Sequence, residues 1–519
     1  MTDFPWLTTL GLVPLAGAVI VALLPKGRDL LAKQVALAVS LLTLVLTVVM
    51  ALQYDPAGPD FQFIESHEWI PAFGVSYSVG VDGIALVLIA LATTLVPIVI
   101  LAGWNDAEGG RRSVKTFFAL ILALETMMVG VFASTDVFLF YVFFEAMLIP
   151  AYFLIGSYGG AQRSYAAVKF LLYSLFGGLL MLASLIGLYV VSARQSPDGQ
   201  GTFDFFALTN LGMDEGTQKM LFLGFFFAFA IKAPLWPFHT WLPDAATEGT
   251  PGTAVLLVGV LDKVGTFGML RYLLPIFPDA SKFYTPIVLA IALIGIIYGA
   301  LVAIGQTDMK RLIAYTSISH FGFITMGIFA MTSQGLSGST LYMVNHGFST
   351  AALFLIAGFL ISRRGSKYVD AYGGVQKVAP LLAGTFFIAG LSSLALPGLA
   401  SFVSEFLVLV GTFTRYPWVA VIATLGIVLA ALYILIMIQK VNTGPITDGV
   451  RGFKDLGGRE MLVAVPLVAL FVVMGFFPKP LLDVINPATD TTLQYVQQTD
   501  PPATVGAPKS GAAAEGTNP

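Results

Sequence analysis

Residues 230–271 read AIKAPLWPFHTWLPDAATEGTPGTAVLLVGVLDKVGTFGMLR, and this stretch decides the fold. Two apolar segments within it carry a lysine near their centres, Lys232 and Lys263, and Pro234 and Pro237 follow the first lysine. Proline removes a backbone donor and breaks a helix. Charged side chains are costly and rare inside membrane helices, where they usually have a function. The stretch therefore predicts two membrane spans, the first of them a broken helix.

The composition of the whole chain indicates an integral membrane protein. Of its 519 residues, 57% are hydrophobic and only 11% are charged, whereas soluble domains carry roughly 25% charged residues. The chain has no cysteine, which excludes disulfides, thiolate-held iron–sulfur clusters and thiolate nucleophiles. The net charge of −3 does not indicate a nucleic-acid partner, and the sequence has no Gly-rich nucleotide motif.

Apolar stretches long enough to cross a bilayer, which takes about 20 helical residues, recur along the chain. We predict an all-α integral membrane fold with about fourteen transmembrane helices, numbered here as spans 1 to 14: 4–24, 31–52, 83–103, 117–135, 137–157, 166–191, 218–241, 253–274, 283–306, 312–331, 338–361, 379–413, 417–439 and 461–477. Span 12 is long and contains Pro397, so we expect two half-helices there. Residues 1–3 lack a basic signal region, so span 1 should be retained.

Lysine and arginine residues are concentrated in alternate loops, and basic loops favour the cytoplasmic side. The loops assigned inside contain the basic residues of segments 26–33, 111–115, 163–169, 310–311, 363–377 and 440–459. This distribution predicts a multi-pass protein of the bacterial cell membrane with both termini on the outer face.

Spans 7 and 12 share a pattern that indicates an internal repeat. Each combines a mid-span proline with one deep charge, Lys232 in span 7 and Glu405 in span 12. The offset of five spans is odd, so the second copy would be inverted, as in many ion transporters. We predict inverted five-helix repeats at spans 4–8 and 9–13, with discontinuous helices 7 and 12. The predicted segments are 1–103 (three helices and an outside loop), 114–275, 283–441, a last helix at 460–480 and a polar tail at 487–519.

Ionisable side chains stand near the middle of several apolar spans, at similar depth. They are Glu125, Glu145, Lys232, Asp262, Lys263 and Glu405, together with His239, His320 and His346. Different spans contribute them, so we expect a row of titratable groups across the membrane plane.

Structural roles compete with this interpretation. A buried lysine or glutamate can form an ion pair that only joins two helices, and a single histidine among apolar residues is more often a satisfied core residue. For Glu125, helix packing and proton transfer are equally good interpretations. The set as a whole favours function, because spans that contain proline or glycine and several charges are poorly suited to packing alone.

Such a row suits proton movement. An apolar environment disfavours the charged form of lysine, and a nearby carboxylate restores it, so a changing distance between Glu145 and Lys232 would load or unload a proton. Histidine relays protons near neutral pH, and the prolines beside Lys232 and before Glu405 free carbonyl groups for water. Each buried histidine stands alone on its span, so paired haem ligation along one helix is unsupported. The energy for ion movement must come from elsewhere.

Six motifs carry a resemblance to a known family. They are HEWIPAFGVSYSVGVDG at 67–83, FFEAMLIP at 143–150, the stretch 230–271 quoted above, DMKRLIAYTSISHFGFI at 308–324, NHGFSTAALFLIAG at 345–358 and LPGLASFVSEFLVL at 396–409. The chain resembles the antiporter-like proton-pumping subunits of respiratory complex I, which share their family with Mrp-type cation/proton antiporters and membrane-bound hydrogenases. The resemblance covers about residues 60–480.

The resemblance implies roles for the candidate residues. Glu145 and Lys232 match the glutamate and lysine of a regulating ion pair, Lys263 matches a lysine that passes the proton onward, and Glu405 matches the exit residue. A glutamate in span 12 is similar to the M-type branch, whereas L-type and N-type chains tend to carry lysine. Three histidines fall on the polar axis of the family as proton relays: His239, His320 and His346. Glu125 is kept as a further candidate.

The resemblance also implies the partners. NADH, FMN, iron–sulfur clusters and quinone would sit on other subunits of the parent complex, with no cofactor or metal in this chain. The L-type and N-type antiporter-like chains would lie on either side of it, within the lipid bilayer. Alternative interpretations are a Mrp-type sodium/proton antiporter subunit, an antiporter-like subunit of a membrane-bound hydrogenase, and a structural membrane protein whose buried charges only specify helix pairing.

Overall fold

A computed structural model of the chain describes residues 4–109 and 112–502. Residues 1–3 ahead of span 1, Arg111 and the end of the predicted tail lie outside the described residues. Within them, twelve helices are long and apolar enough to cross a membrane, or thirteen if the bent pair Val369–Lys377 and Pro380–Ser393 is one span. The twelve are Trp6–Leu23, Asp29–Gln53, Gly83–Ala102, Val114–Ala133, Val137–Tyr158, Arg163–Gln195, Pro251–Ile276, Pro278–Ile304, Met309–Ala330, Ser333–Arg364, Pro417–Asn442 and Gly458–Phe476.

The two predicted spans missing from these twelve are spans 7 and 12, and both are broken. Helix Glu215–Lys232 ends just before Pro234, and the chain becomes helical again at Trp241–Glu248. Helices Pro380–Ser393 and Ala400–Arg415 flank the second break, where Gly398 has a φ of +89° that favours glycine. The predicted breaks are confirmed. The total of fourteen spans and the inverted repeat remain predictions.

Three spans form the centre of the molecule. In helices Pro251–Ile276 and Met309–Ala330, 100% of the residues in the apolar 18-residue stretch are buried inside the protein, and in Ser333–Arg364 the share is 94%. By contrast, only 28% of the residues in the corresponding stretch of helix Asp29–Gln53 are buried, so this helix lies at the periphery. The central three are spans 8, 10 and 11, which carry Lys263 and two of the predicted relay histidines.

The loop between spans 2 and 3 forms a β-hairpin, which the all-α prediction missed. Antiparallel strands Gln62–Ile70 and Val75–Val81 are joined by a 3₁₀ turn at Pro71–Phe73. The alternating valines of the second strand favour this conformation, but the mixed first strand resembles a loop. Glu65 of the hairpin accepts hydrogen bonds from the backbone nitrogens of Leu7 and Thr8, at 2.8 and 3.3 Å. The hairpin therefore caps the start of the first helix.

The first part of the segment predicted as a polar tail, 487–519, is helical as far as Tyr495. An amphipathic helix, Lys479–Tyr495, follows the last span and packs against spans 3 and 11. Its apolar and small polar residues are buried, and the hydroxyls of Thr489 and Ser337 are 2.9 Å apart. The sequence analysis did not predict this helix, because a stretch too polar to resemble a membrane span can still bury one helical face. Residues 503–519 lie outside the described part of the chain.

Candidate functional site: a polar row through the central spans

Lys263 lies at the centre of the predicted row. It is 0% exposed, on span 8, directly after the π-helical turn Leu257–Leu261. Its Nζ donates a hydrogen bond to the carbonyl oxygen of Val258 and lies 2.7 Å from Nδ1 of His346 on span 11. A π-helical turn inside an α-helix is frequent at functional sites. Lys263 and His346, which were predicted only to lie at a similar depth on different spans, are thus in contact.

Two histidines and a tyrosine extend the row from this contact. The ring centroids of His346 and His320 are 5.3 Å apart. His346 Nε2 lies 3.2 Å from Ser317 Oγ, and His320 Nδ1 lies 2.7 Å from the hydroxyl of Tyr342. All of these side chains are buried. Imidazole and hydroxyl groups both donate and accept hydrogen bonds, so a proton can be shared between His346 and Ser317 and between His320 and Tyr342. Among the described residues the other ring nitrogen of His320 has no hydrogen-bond partner, so the two histidines are neighbours without a direct hydrogen bond.

Glu405 stands at the far end of the row. It is 4% exposed and lies in helix Ala400–Arg415, the second half of broken span 12. Its half-helix packs against span 11, which carries Tyr342, and Glu405 is near enough to influence the hydroxyl groups of Tyr342 and Tyr433. Asn345 of span 11 fixes the start of the half-helix by donating to the Ala400 carbonyl oxygen at 2.6 Å.

The predicted pair of Glu145 and Lys232 is not in direct contact. Among the described residues, no salt bridge within 4.0 Å joins the two side chains, and neither Lys232 Nζ nor Glu145 Oε1 has a hydrogen-bond partner. The ammonium group of Lys232 instead lies 4.4 Å from the ring centroid of Phe144, the residue before Glu145. The two charges still act on each other electrostatically.

The surroundings of the pair explain the separation. Lys232 is the last residue of helix Glu215–Lys232, where the helix dipole favours a cation. Glu145 is half-buried and packs its carboxylate against Gly178 of span 6, where a methyl group would overlap it. The two groups are therefore held by different helices and can approach only if a side chain or the broken helix moves.

His239 lies apart from the other two relay candidates. It is buried in the turn after Lys232, neither ring nitrogen has a hydrogen-bond partner within the described residues, and its ring stands edge-on to Tyr298 with centroids 5.1 Å apart. Nearby, Asp244 pairs with Lys169 and Arg311, both at 2.7 Å. Asp244 and Arg311 also line a cavity of about 560 Å³.

Glu125 does not join the row. It is 0% exposed in helix Val114–Ala133, and both carboxylate oxygens lack a hydrogen-bond partner among the described residues. Neither an ion pair nor a charge from another residue acts on it in that part of the chain. Its position supports neither a helix-joining ion pair nor a step in the chain of contacts.

Sequence reasoning missed Tyr342, Ser317 and the ion pair at the outer end of span 8. Tyr342 stands four residues before His346, a spacing that places both on one helical face, and this signal could have found it. Arg271 is buried and pairs with Asp82 at 2.5 Å beside the ring of Phe61. No local pattern indicates that pair, because its members are far apart in sequence.

Comparisons with known proteins agree with this architecture. The family model described as NADH:quinone oxidoreductase/Mrp antiporter, TM matches residues 134–430. NADH-quinone oxidoreductase subunit M of Mycobacterium tuberculosis is 57% identical over 98% of this chain and 97% of the relative. A chain in the structure of respiratory complex I from Thermus thermophilus with bound NADH is 32% identical, with a TM-score of 0.86 over 94% of this chain and 99% of that chain.

A chain of the Mrp complex from a Dietzia species has a TM-score of 0.83, over 96% of this chain and 100% of that chain. Its sequence identity is 22%, so this likeness concerns the fold alone. The family-model match covers more than half of the chain, and the Mycobacterium tuberculosis relative is aligned over nearly all of it. This chain belongs to the NADH:quinone oxidoreductase/Mrp antiporter transmembrane family.

Proposed function

We propose that this chain is the M-type proton-translocating membrane subunit of an NADH-quinone oxidoreductase. The observation that carries the proposal is the buried chain of contacts from Lys263 through His346 and His320 to Tyr342, which leads toward Glu405. Titratable groups inside a membrane mark proton pathways. The 57% identity to subunit M over nearly the whole chain favours this function over that of a Mrp-type antiporter. The Mrp chain is similar to this one only in its fold.

The roles within the row follow from the contacts of each group. Glu145 and Lys232 form an adjustable pair, because neither group has a hydrogen-bond partner that fixes it. When Glu145 approaches, Lys232 holds its proton; when Glu145 withdraws, the buried ammonium group gives its proton up. Lys263 takes the proton onward and shares it with His346.

The second half of the row passes the proton outward. His346 and His320 act as relays, with Tyr342 as the connection to Glu405. A carboxylate that takes up a proton becomes a neutral carboxyl group, which is favoured in the apolar interior. Glu405 releases this proton when water reaches it from the outer face. His239, in the turn between Lys232 and the helix that carries Asp244, supplies protons to the first half.

The energy for this movement comes from partner subunits. The chain has no cysteine, and the described residues hold no group of three or more histidine, aspartate or glutamate side chains arranged for a metal. We assign NADH, FMN, iron–sulfur clusters and quinone to partners, and L-type and N-type chains to the two flanks. The exposed leucine, valine and phenylalanine side chains of the peripheral helices suit lipid and such neighbours.

The function is tested on the whole complex. The chain is tagged, purified in mild detergent and analysed for co-purifying NADH-binding and quinone-binding proteins, while inverted membrane vesicles are assayed for NADH-driven proton uptake. We expect both the partners and the uptake. Co-purification with sodium/proton antiporter chains and no NADH-binding protein would support the Mrp-type function instead.

The proposed topology places both termini on the outer face of the bacterial membrane. A reporter that is active only outside the cytoplasm, fused after Pro519, should be active, and the same reporter inserted after Gly365 should be silent. A silent terminal fusion, at a normal level of the fusion protein, would contradict this topology and the count of fourteen spans.

A further inference from the structure

Asp262 is a buried carboxylate at the point where the first broken helix meets the centre of the molecule. The residue is 0% exposed, and both of its oxygens lack a hydrogen-bond partner among the described residues. Burying a carboxylate without a hydrogen-bond partner costs free energy of folding. Each such group in a native structure therefore calls for an explanation, structural or functional. Burial alone does not distinguish a structural from a functional reason, but the neighbours of Asp262 do.

The face of span 8 that carries Asp262 packs on the broken end of span 7. A methyl group added to Gly265 would lie 2.5 Å from the carbonyl oxygen of Phe229 and 2.6 Å from the backbone nitrogen of Ala233. Residues three apart share one helical face, so Asp262 stands one turn from this close approach, on the side of Lys232. The glycine permits the two helices to come this near.

Lys263 faces a different partner. Its Nζ contacts the Val258 carbonyl oxygen and His346 of span 11, because successive helical residues are rotated by about 100°. Lys263 is therefore committed to the second half of the row. Asp262 is the ionisable side chain on the turn of span 8 that approaches the end of span 7 at Phe229 and Ala233, the residues that flank Lys232.

The charges around Asp262 agree with this position. Lys263 and Lys232 are the two charged groups that act on its carboxylate, and Lys232 is in turn influenced by Glu145 and Asp262. The row therefore alternates acid and base from Glu145 to Lys263. Each base has an acid on its uptake side, which is the order that stepwise transfer requires.

We propose that Asp262 carries the proton from Lys232 to Lys263. In the first step the ammonium group of Lys232 gives one proton to the carboxylate, which leaves a neutral amine and a neutral carboxyl group. In the second step the carboxyl group gives that proton to the amine of Lys263 and becomes a carboxylate again. No co-reactant is needed. This inference rests on the proposed proton-translocating function.

The test compares two substitutions in the assembled complex. Asp262→Asn keeps the shape but cannot take up a proton, and we expect NADH-driven proton uptake in inverted vesicles to fall several-fold while NADH oxidation in uncoupled vesicles continues. Asp262→Glu keeps a titratable carboxyl and should restore most of the uptake. A purely structural role would make Asp262→Asn at least as active as Asp262→Glu, because asparagine keeps the size and shape of the side chain.

Two further variants separate this inference from the proposed function. Asp279→Asn makes the same change in an ion pair with Lys282 at the start of span 9, and it should pump normally. Lys232→Ala tests the row itself. Normal uptake in Asp262→Asn with lost uptake in Lys232→Ala would overturn the role of Asp262 alone, whereas normal uptake in both would overturn the proposed function. Failure of Asp262→Asn to assemble would show a structural role and would also overturn the inference.

Discussion

The two halves of the polar row differ in how their charged groups are held. In the first half, Lys232, Asp262 and one oxygen of Glu145 have no hydrogen-bond partner among the described residues. In the second half, Lys263 contacts His346 and His320 contacts Tyr342, both at 2.7 Å. Groups without fixed partners can change their separation, whereas bonded groups conduct along a set path. The difference indicates that control lies in the first half and conduction in the second.

Lys232 should give the largest effect, because the first half has only one base. We expect Lys232→Ala to leave the complex assembled and to lower NADH-driven proton uptake by about tenfold or more, the scale seen when a positioned proton-transfer group is removed. Lys232→Arg should fail as well, since the guanidinium group does not release its proton in proteins.

Uptake is measured in inverted membrane vesicles, and assembly is checked by native gel electrophoresis. The arginine variant is the matched control for charge. Normal pumping by it would show that Lys232 supplies only a fixed positive charge, and the assignment of control to the first half would then be wrong.

Glu405 should give the next largest effect. Glu405→Gln keeps the shape of a protonated glutamate but cannot release a proton, so we expect it to block exit and to lower uptake several-fold. Glu405→Asp should retain part of the activity, because its shorter side chain still titrates. Glu405→Lys should restore more than the glutamine variant, since the related L-type and N-type chains tend to carry lysine at this place.

The same vesicle assay compares the three variants at matched levels of assembled complex. If Glu405→Gln pumps as well as the unmodified chain, Glu405 is a packing residue. The second half of the row would then need another exit group.

The contrast between the halves also shows what sequence can and cannot predict. Pro234 and Pro397 predicted both helix breaks, because proline acts locally on the backbone it belongs to. The contact of Lys263 with His346 was predicted only as a shared depth. The separation of Glu145 from Lys232 was not predicted, since it depends on Gly178 of span 6 and on the ring of Phe144.

Elements without a local signal were missed for the same physical reason. The helix Lys479–Tyr495 is too polar to resemble a membrane span, and its buried face is defined by the helices it packs on. The pair of Arg271 and Asp82 joins spans 8 and 3, which are distant in the chain. Tertiary packing decides both features, so composition and spacing along one segment do not reveal them.

A substitution at Tyr342 tests proton conduction in the second half of the row, and we expect its effect on proton uptake to be intermediate. Tyr342→Phe removes the hydroxyl group that lies 2.7 Å from His320 Nδ1 and keeps the ring. Without this hydroxyl group, His320 Nδ1 loses its hydrogen-bond partner on the proposed path, so we expect proton uptake to fall by roughly a few-fold with assembly largely intact. Tyr433→Phe is the matched control near Glu405, because its hydroxyl has no hydrogen-bond partner in the described residues. Equal effects of the two variants would argue against a path through Tyr342.

Glu125 should give the smallest effect, and it sharpens the comparison from outside the row. Its carboxylate is as buried as Asp262, but neither hydrogen bonds nor neighbouring charges reach it within the described part of the chain. A proton carrier needs a donor and an acceptor within reach, and Glu125 has neither. We therefore expect Glu125→Gln to pump at the unmodified rate, whereas the same change in Glu145→Gln lowers uptake strongly. Both variants are assayed in vesicles with equal NADH oxidation. A loss of pumping in Glu125→Gln would show that burial of an acid in these spans is enough for a role in proton transfer. The contacts that distinguish the two halves of the row would then not determine which residues take part.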